Sequence, residues 1–155
     1  MTSEAASNLF AQLTYRFFNY LDERRYADLV GMMKADAVWH RQGKHLRGHK
    51  EILAELESRS RTQHIRHVIT NSFVDSASEG SVRAKAYMIA YRFDDGTARQ
   101  APLTIDGPLR LVLLSTDFVR ESDGNWLIAE QSAVPEFEFR VAAPDPSQAP
   151  MGSAR

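Results

Sequence analysis

The chain has 155 residues, of which 43% are hydrophobic and 25% charged, and its 19 basic and 20 acidic side chains give a formal net charge of −1. That length fits one domain with a single core, and so even a balance of charge creates no global field to attract nucleic acid or an anionic membrane. The absence of cysteine excludes disulfides, thiolate metal sites and a cysteine nucleophile.

From Ser3 to about Arg24, apolar residues recur at helical spacing, with Phe10, Leu13, Phe17, Phe18 and Leu21 on one stripe and Arg24-Arg25 at the favourable end. Tyr26 to Lys34 continues as a shorter helical piece. Ala37-Val38-Trp39 reads as a strand running into the turn Gln42-Gly43-Lys44, and Gly48 precedes a short amphipathic helix ending near Leu56. After Arg61 the period changes to two. Strands are expected near 63–75, 81–94, 108–121 and 125–138, with turns at Ser78-Glu79-Gly80, Asp94-Asp95-Gly96 and Ser122-Asp123-Gly124-Asn125. Helices before strands predict an α+β fold in which N-terminal helices cover one face of a curved antiparallel sheet, spanning residues 1–141. The stretch 142–155, with Pro144, Pro146 and Pro150 among small residues, is expected to be a flexible tail. The N-terminus lacks a basic segment followed by an apolar one, and Leu111–Leu114 is far too short to span a bilayer, so a cytoplasmic protein without membrane contact is expected.

Alternation along the strands assigns faces. In 63–75 the set Ile65, His67, Ile69, Asn71 and Phe73 shares a face; in 81–94 the set is Val82, Ala84, Ala86, Met88, Ala90 and Arg92, opposite Arg83 and Lys85. Both sets are expected to point inward. In 108–121 the run Leu111–Leu114 is apolar on both sides; Leu111, Leu113, Ser115, Asp117 and Val119 are assigned inward, leaving Val112, Leu114 and Phe118 outside. So apolar an outer face suggests cover by a second subunit, in a homodimer or homotrimer.

The first helix offers the carboxylate of Asp22 and the first long strand the imidazole of His67. If both turn into one apolar cavity, the carboxylate fixes the imidazole tautomer, and the other ring nitrogen can take a proton beside a carbonyl and deliver it to a departing hydroxyl. Arg92, one strand over, would hold a developing enolate or a substrate carboxylate. Ala84, Ala86 and Ala90 leave room for a small-molecule pocket, with Trp39 and Phe18 as walls. Asn71 and Ser115 are weaker hydrogen-bonding candidates, and Asp117 is a reserve acid at the mouth. The competing reading is a buried polar network of Asp22, His67 and Arg92 that only satisfies itself. His40, His45 and His49 are closely spaced, but Gly48 and the loop-to-helix junction spoil a shared face, so neither metal nor cofactor is expected. Arg59, Arg61, His64 and Arg66 read as a solvated surface, without the stacking aromatics that nucleic acid would need.

A helix with an internal Asp, a strand containing Trp39, the G-x-x-x-I helix at Gly48–Ile52, the phrase R-H-V-I-T-N at 66–71 and the late D-G-N-W hairpin together resemble the SnoaL-like branch of the nuclear transport factor two-like superfamily, over about residues 5 to 140. The resemblance implies a cone-shaped, cystatin-like α+β barrel whose open end holds a small molecule. Members include scytalone dehydratases, bile-acid dehydratases, ketosteroid isomerases, polyketide cyclases and small subunits of ring-hydroxylating dioxygenases. The pattern looks most like that of scytalone dehydratases: Leu21-Asp22 keeps the carboxylate of a Tyr-Asp pair, His67 matches one family histidine, a second falls on Arg92, a tyrosine on Trp39, and a serine and an asparagine on Leu113 and Ser115. The implied activity is a cofactor-independent lyase or isomerase for a small hydroxylated cyclic or polyketide-like carbonyl compound. The alternatives are a non-catalytic binding module and an interaction subunit of the dioxygenase type.

Overall fold

The computed structural model describes residues 3–140, and the tail expected from Ala142 lies outside them. Helix α1 (Ser3–Asp22) buries Phe10, Thr14, Phe17, Phe18 and Leu21, the i, i+4, i+7, i+8, i+11 stripe of an amphipathic helix laid on a sheet. Thr14 is tolerated on that stripe because its hydroxyl donates to the Phe10 carbonyl at 2.9 Å. The helix stops where Arg24 adopts a positive φ of 56° and the Arg25 amide returns to the Tyr20 carbonyl at 2.9 Å. Arg59, expected on a solvated surface, is instead partly buried and donates to the Leu21 carbonyl at 2.9 Å and to the Tyr26 hydroxyl at 3.1 Å. Helix α2 (Tyr26–Gly31) is shorter than expected, since β1 has begun by Met33; α3 spans Gly48–Glu57.

The sheet has six strands: β1 (Met33–Arg41), β2 (Lys44–Arg47), β3 (His64–Ala77), β4 (Ser81–Phe93), β5 (Arg110–Arg120) and β6 (Trp126–Glu138). Their order is β2-β1-β6-β5-β4-β3, curved and unclosed, with β2 and β3 at the edges. All pairings are antiparallel except β1 with β6, which is parallel. Strand β2 was not expected, because Lys44-His45-Leu46-Arg47 carries a single apolar residue. It forms because Gln42 and Gly43 both take positive φ, 51° and 76°, and so make the tight two-residue turn that returns the chain along β1. Among the described residues no helix is long and apolar enough to cross a membrane.

Strand β4 points Val82, Ala84, Ala86, Met88 and Ala90 into the core, as alternation predicts. Strand β5 has the reverse of the expected register. Val112, Leu114, Thr116 and Phe118 are buried, while Ser115 and Asp117 stand on the outer face opposite Lys85 and Arg83. The apolar run Leu111–Leu114 does not distinguish the two faces, and charge decides: outside, the Asp117 carboxylate takes both Arg83 nitrogens at 2.6 and 2.7 Å, whereas inside it would lie unpaired in the core. Thr116 then faces inward and donates to buried Gln131 at 2.8 Å. In β3, a bulge at Asn71, which has a φ of 53°, shifts the register between Thr70 and Phe73. Phe73 therefore turns outward and Val74 takes its inward place.

The outer face is apolar all the same. Cross-strand register lines up Val68, Ile89, Leu111 and Phe137 in one row and Thr70, Tyr87, Leu113 and Val134 in the next, and Val68, Tyr87, Leu113, Val134 and Phe137 are all exposed.

Candidate active site

Asp22 is the last residue of α1, a helix with no basic residue in its final turn. A carboxylate there meets the negative end of the helix dipole, an unfavourable place for it. Two N–H groups of β3 compensate: Asp22 Oδ1 lies 2.5 Å from His67 Nδ1, and Oδ2 accepts the His67 backbone amide at 2.9 Å. Since an ionised carboxylate only accepts, the proton sits on Nδ1, and Nε2 has no hydrogen-bond partner among the described residues. Both side chains are nearly enclosed, 6% exposed for His67 and 7% for Asp22. Phe18 packs on the imidazole with ring centres 5.4 Å apart and holds its plane.

The imidazole lines a cavity of about 60 Å³ walled by Phe18, Leu21, Trp39, Met88, Ala90 and Val112. Of the remaining lining residues, Gln42 and Pro135 are exposed and mark its mouth. Ala90 lies directly opposite His67 across the β3–β4 pairing, and its methyl group leaves the space that a larger residue would occupy. The expected dyad and both expected walls, Trp39 and Phe18, therefore meet in one place.

Four other expected site residues lie elsewhere. Arg92 is on the inward register of β4 opposite Ile65, but at the strand end its guanidinium reaches Asp94 at 3.4 Å and stays half exposed outside the cavity lining. Asn71 is exposed on its bulge and takes a hydrogen bond from Thr70 at 3.0 Å. Ser115 and Asp117 stand on the opposite face of the sheet. Asp94 is held by Thr62 Oγ1 at 2.6 Å and by the Gly96 amide at 3.2 Å; hydrogen bonds from Thr62 first, then Ser60, lower its pKa to about 2. Of the three clustered histidines only His49 stands apart, bonded to the Met33 carbonyl at 2.9 Å, while His40 bonds Glu130 at 3.0 Å with the His45 ring edge-on to it.

Sequence reasoning missed two cations that do line the cavity, Arg41 and Arg110. Arg41 Nη1, Arg110 Nε and the indole Nε1 of Trp39 are buried without a hydrogen-bond partner among the described residues. Burial, and secondarily the nearby Arg59, push the Arg41 guanidinium down to a pKa of about 10. Arg110 has Glu138 at 3.6 Å, too far for a hydrogen bond. A signal was present in the sequence, because Arg41 continues the inward series Ala37, Trp39, and Arg110 begins the inward series Val112, Leu114.

Solved structures share this architecture at low sequence identity. ActVI-ORFA from Streptomyces coelicolor is 21% identical, with 87% of this chain and 98% of that one covered and a TM-score of 0.69. A protein from Catenulispora acidiphila in complex with S-DNPA is 20% identical, covering 85% and 94%, with a TM-score of 0.66. An NTF2-like protein with a cystatin-like fold from Novosphingobium aromaticivorans is 16% identical, covering 80% and 77%, with a TM-score of 0.66. No curated protein matches the sequence. The family model for the SnoaL-like domain matches residues 10–131, most of the 155-residue chain, and the chain belongs to that family.

Proposed function

We propose that this SnoaL-like protein is a cofactor-independent acid–base catalyst, a lyase or isomerase, for a small hydroxylated cyclic or polyketide-like carbonyl compound. The observation that carries the reading is the Asp22–His67 pair, with Nδ1 tied to the carboxylate and the ring lining a largely enclosed cavity. Nε2 of His67 takes a proton from the carbon next to the carbonyl, and the C–H electrons move into an enolate. In elimination the enolate re-forms the carbonyl, a carbon–carbon double bond forms, and the leaving hydroxyl departs as water with the proton from Nε2. In isomerisation the same proton returns to a different carbon. Positioned proton transfer of this kind contributes about 10²–10⁴-fold. The S-DNPA complex of the Catenulispora protein supports small-molecule occupancy of this kind of fold.

The test is exchange of the carbon-bound proton, followed by NMR in deuterium oxide over a set of hydroxylated cyclic ketones. The wild type is expected to exchange the position beside the carbonyl above the buffer rate, and His67→Gln to abolish that excess. Ligands that bind wild type and His67→Gln alike, with no exchange in either, would establish a binding module instead.

The paired apolar rows on the outer face favour a homo-oligomer, dimer or trimer, assembled through that face. Eight positions over four adjacent strands, mostly apolar and exposed, form a contiguous patch of the kind that marks a protein interface.

A further inference from the structure

We propose that Arg41 and Arg110, together with the indole N–H of Trp39, hold the carboxylate of an anionic ligand in the His67 cavity. This rests on the reading of the cavity as the small-molecule site, and it narrows the substrate to hydroxylated carbonyl compounds that also carry a carboxylate.

Three residues line one cavity, and each carries a donor nitrogen buried without a hydrogen-bond acceptor among the described residues. One such group is costly, and two of these belong to permanently charged guanidinium groups. The acidic groups around them compensate the pair only in part. Asp22 is committed to His67 by two hydrogen bonds, Glu55 is engaged by Lys44 at 2.6 Å, and Glu138 is 3.6 Å from Arg110 with most of its side chain in solvent. An enolate would add negative charge beside the two cations only for the part of a turnover in which it exists. A carboxylate present in the ground state compensates them throughout the bound state, and the planar fork of guanidinium matches its two oxygens. The burial that weakens the protonation of Arg41 points the same way, since a bound anion offsets that cost.

Size agrees with this assignment. A cavity of about 60 Å³ has room for roughly four to six water-sized spheres. That suits a carboxylate and its neighbouring carbons, while a ring system must extend through the mouth at Gln42 and Pro135. Arg41 is further fixed by its guanidinium carbon, 5.2 Å from the Trp39 ring centre, which orients it for recognition.

The experiment is isothermal titration calorimetry of benzoate and salicylate against benzamide and salicylamide, in low-chloride buffer, on the wild type and on Arg41→Met, Arg110→Met, Arg110→Lys and His67→Gln. The wild type should prefer each carboxylate over its amide by about tenfold to a hundredfold, as charge-assisted hydrogen bonds allow. Either methionine variant should lose most of that preference, Arg110→Lys should keep part of it, and His67→Gln should keep it whole. Equal affinity for acid and amide, no carboxylate binding at millimolar concentration, or unchanged preference in both methionine variants would overturn the assignment. If a methionine variant fails to fold, the wild-type acid-to-amide ratio and Arg110→Lys decide. The proton-exchange assay is scored separately: carboxylate preference without exchange sinks the catalytic reading alone, and exchange without carboxylate preference sinks the anion site alone.

Discussion

Asp22→Asn separates positioning from folding. The substitution preserves shape and keeps one oxygen to accept the His67 amide at its present 2.9 Å, which places the NH₂ at the 2.5 Å contact with Nδ1. An NH₂ there requires Nδ1 to accept, which moves the ring proton to Nε2 and removes the lone pair that would take the substrate proton. In a serine-protease triad the corresponding loss of the tautomer costs about 10⁴ in kcat, and general acid–base catalysis spans about 10²–10⁴. The expected result is therefore a fall of roughly 10²–10⁴-fold in kcat with KM little changed. A buried hydrogen bond to a charged group is worth about 1.5–3 kcal/mol. At roughly 2.1 cal/mol/K per residue of unfolding entropy, that lowers Tm by about 5–10 °C for a domain of this size. Proton exchange in deuterium oxide gives kcat and KM, calorimetry gives Tm, and ¹⁵N shifts of the His67 ring report which nitrogen carries the proton. Full turnover in Asp22→Asn, or lost turnover with the Nδ1–H tautomer intact, would refute the positioning role.

Three further outcomes follow from the same geometry. Ala90→Leu places a larger side chain opposite His67, where Ala90 lines the cavity; titration calorimetry should show ligand binding abolished, with an overpacking cost of about 1–3 kcal/mol in denaturant unfolding. Leu113→Arg puts a charge in the centre of the exposed apolar rows, and light scattering should show it shifting the assembly to monomer while proton exchange per folded chain persists. Asp94 has a folded pKa lowered to about 2 by Thr62 first and then Ser60. Because the folded value lies below the ordinary carboxylate value, its contribution is complete above about pH 4 and is lost as pH falls towards 2; an NMR titration of Thr62→Val should move the Asp94 midpoint back towards the ordinary value.

The parts legible in the sequence were those where one period dominates. The stripe of α1 gave both the helix and its buried face, and β4 alternated so cleanly that all five of its inward apolar residues could be named. Asp22 and His67 were found because a lone carboxylate and a lone imidazole stood on the inward faces of elements that had to pack together. Ser115 and Asp117 were reversed because four consecutive apolar residues precede them, and only the cross-strand complement of Asp117 with Arg83 breaks the tie. Asn71 was misplaced because a bulge adds a residue that strict alternation cannot anticipate. Arg92 failed for another reason, since its inward register is correct but its guanidinium pairs with Asp94 and stays half exposed. Arg41 and Arg110 were passed over because arginine is ordinarily read as solvent-facing, whereas here two inward series carry it into the interior.

The parallel contact between β1 and β6 has a temporal meaning. Residues 33–41, though made early in synthesis, have only their short hairpin partner within the sheet until residues 126–138 emerge from the ribosome, so the junction of β1 with the rest of the sheet is the last place to close. Until then Trp39 and Arg41 border an incomplete wall, and a nascent chain arrested before the last strand would display the lining of the His67 cavity to solvent or to chaperones.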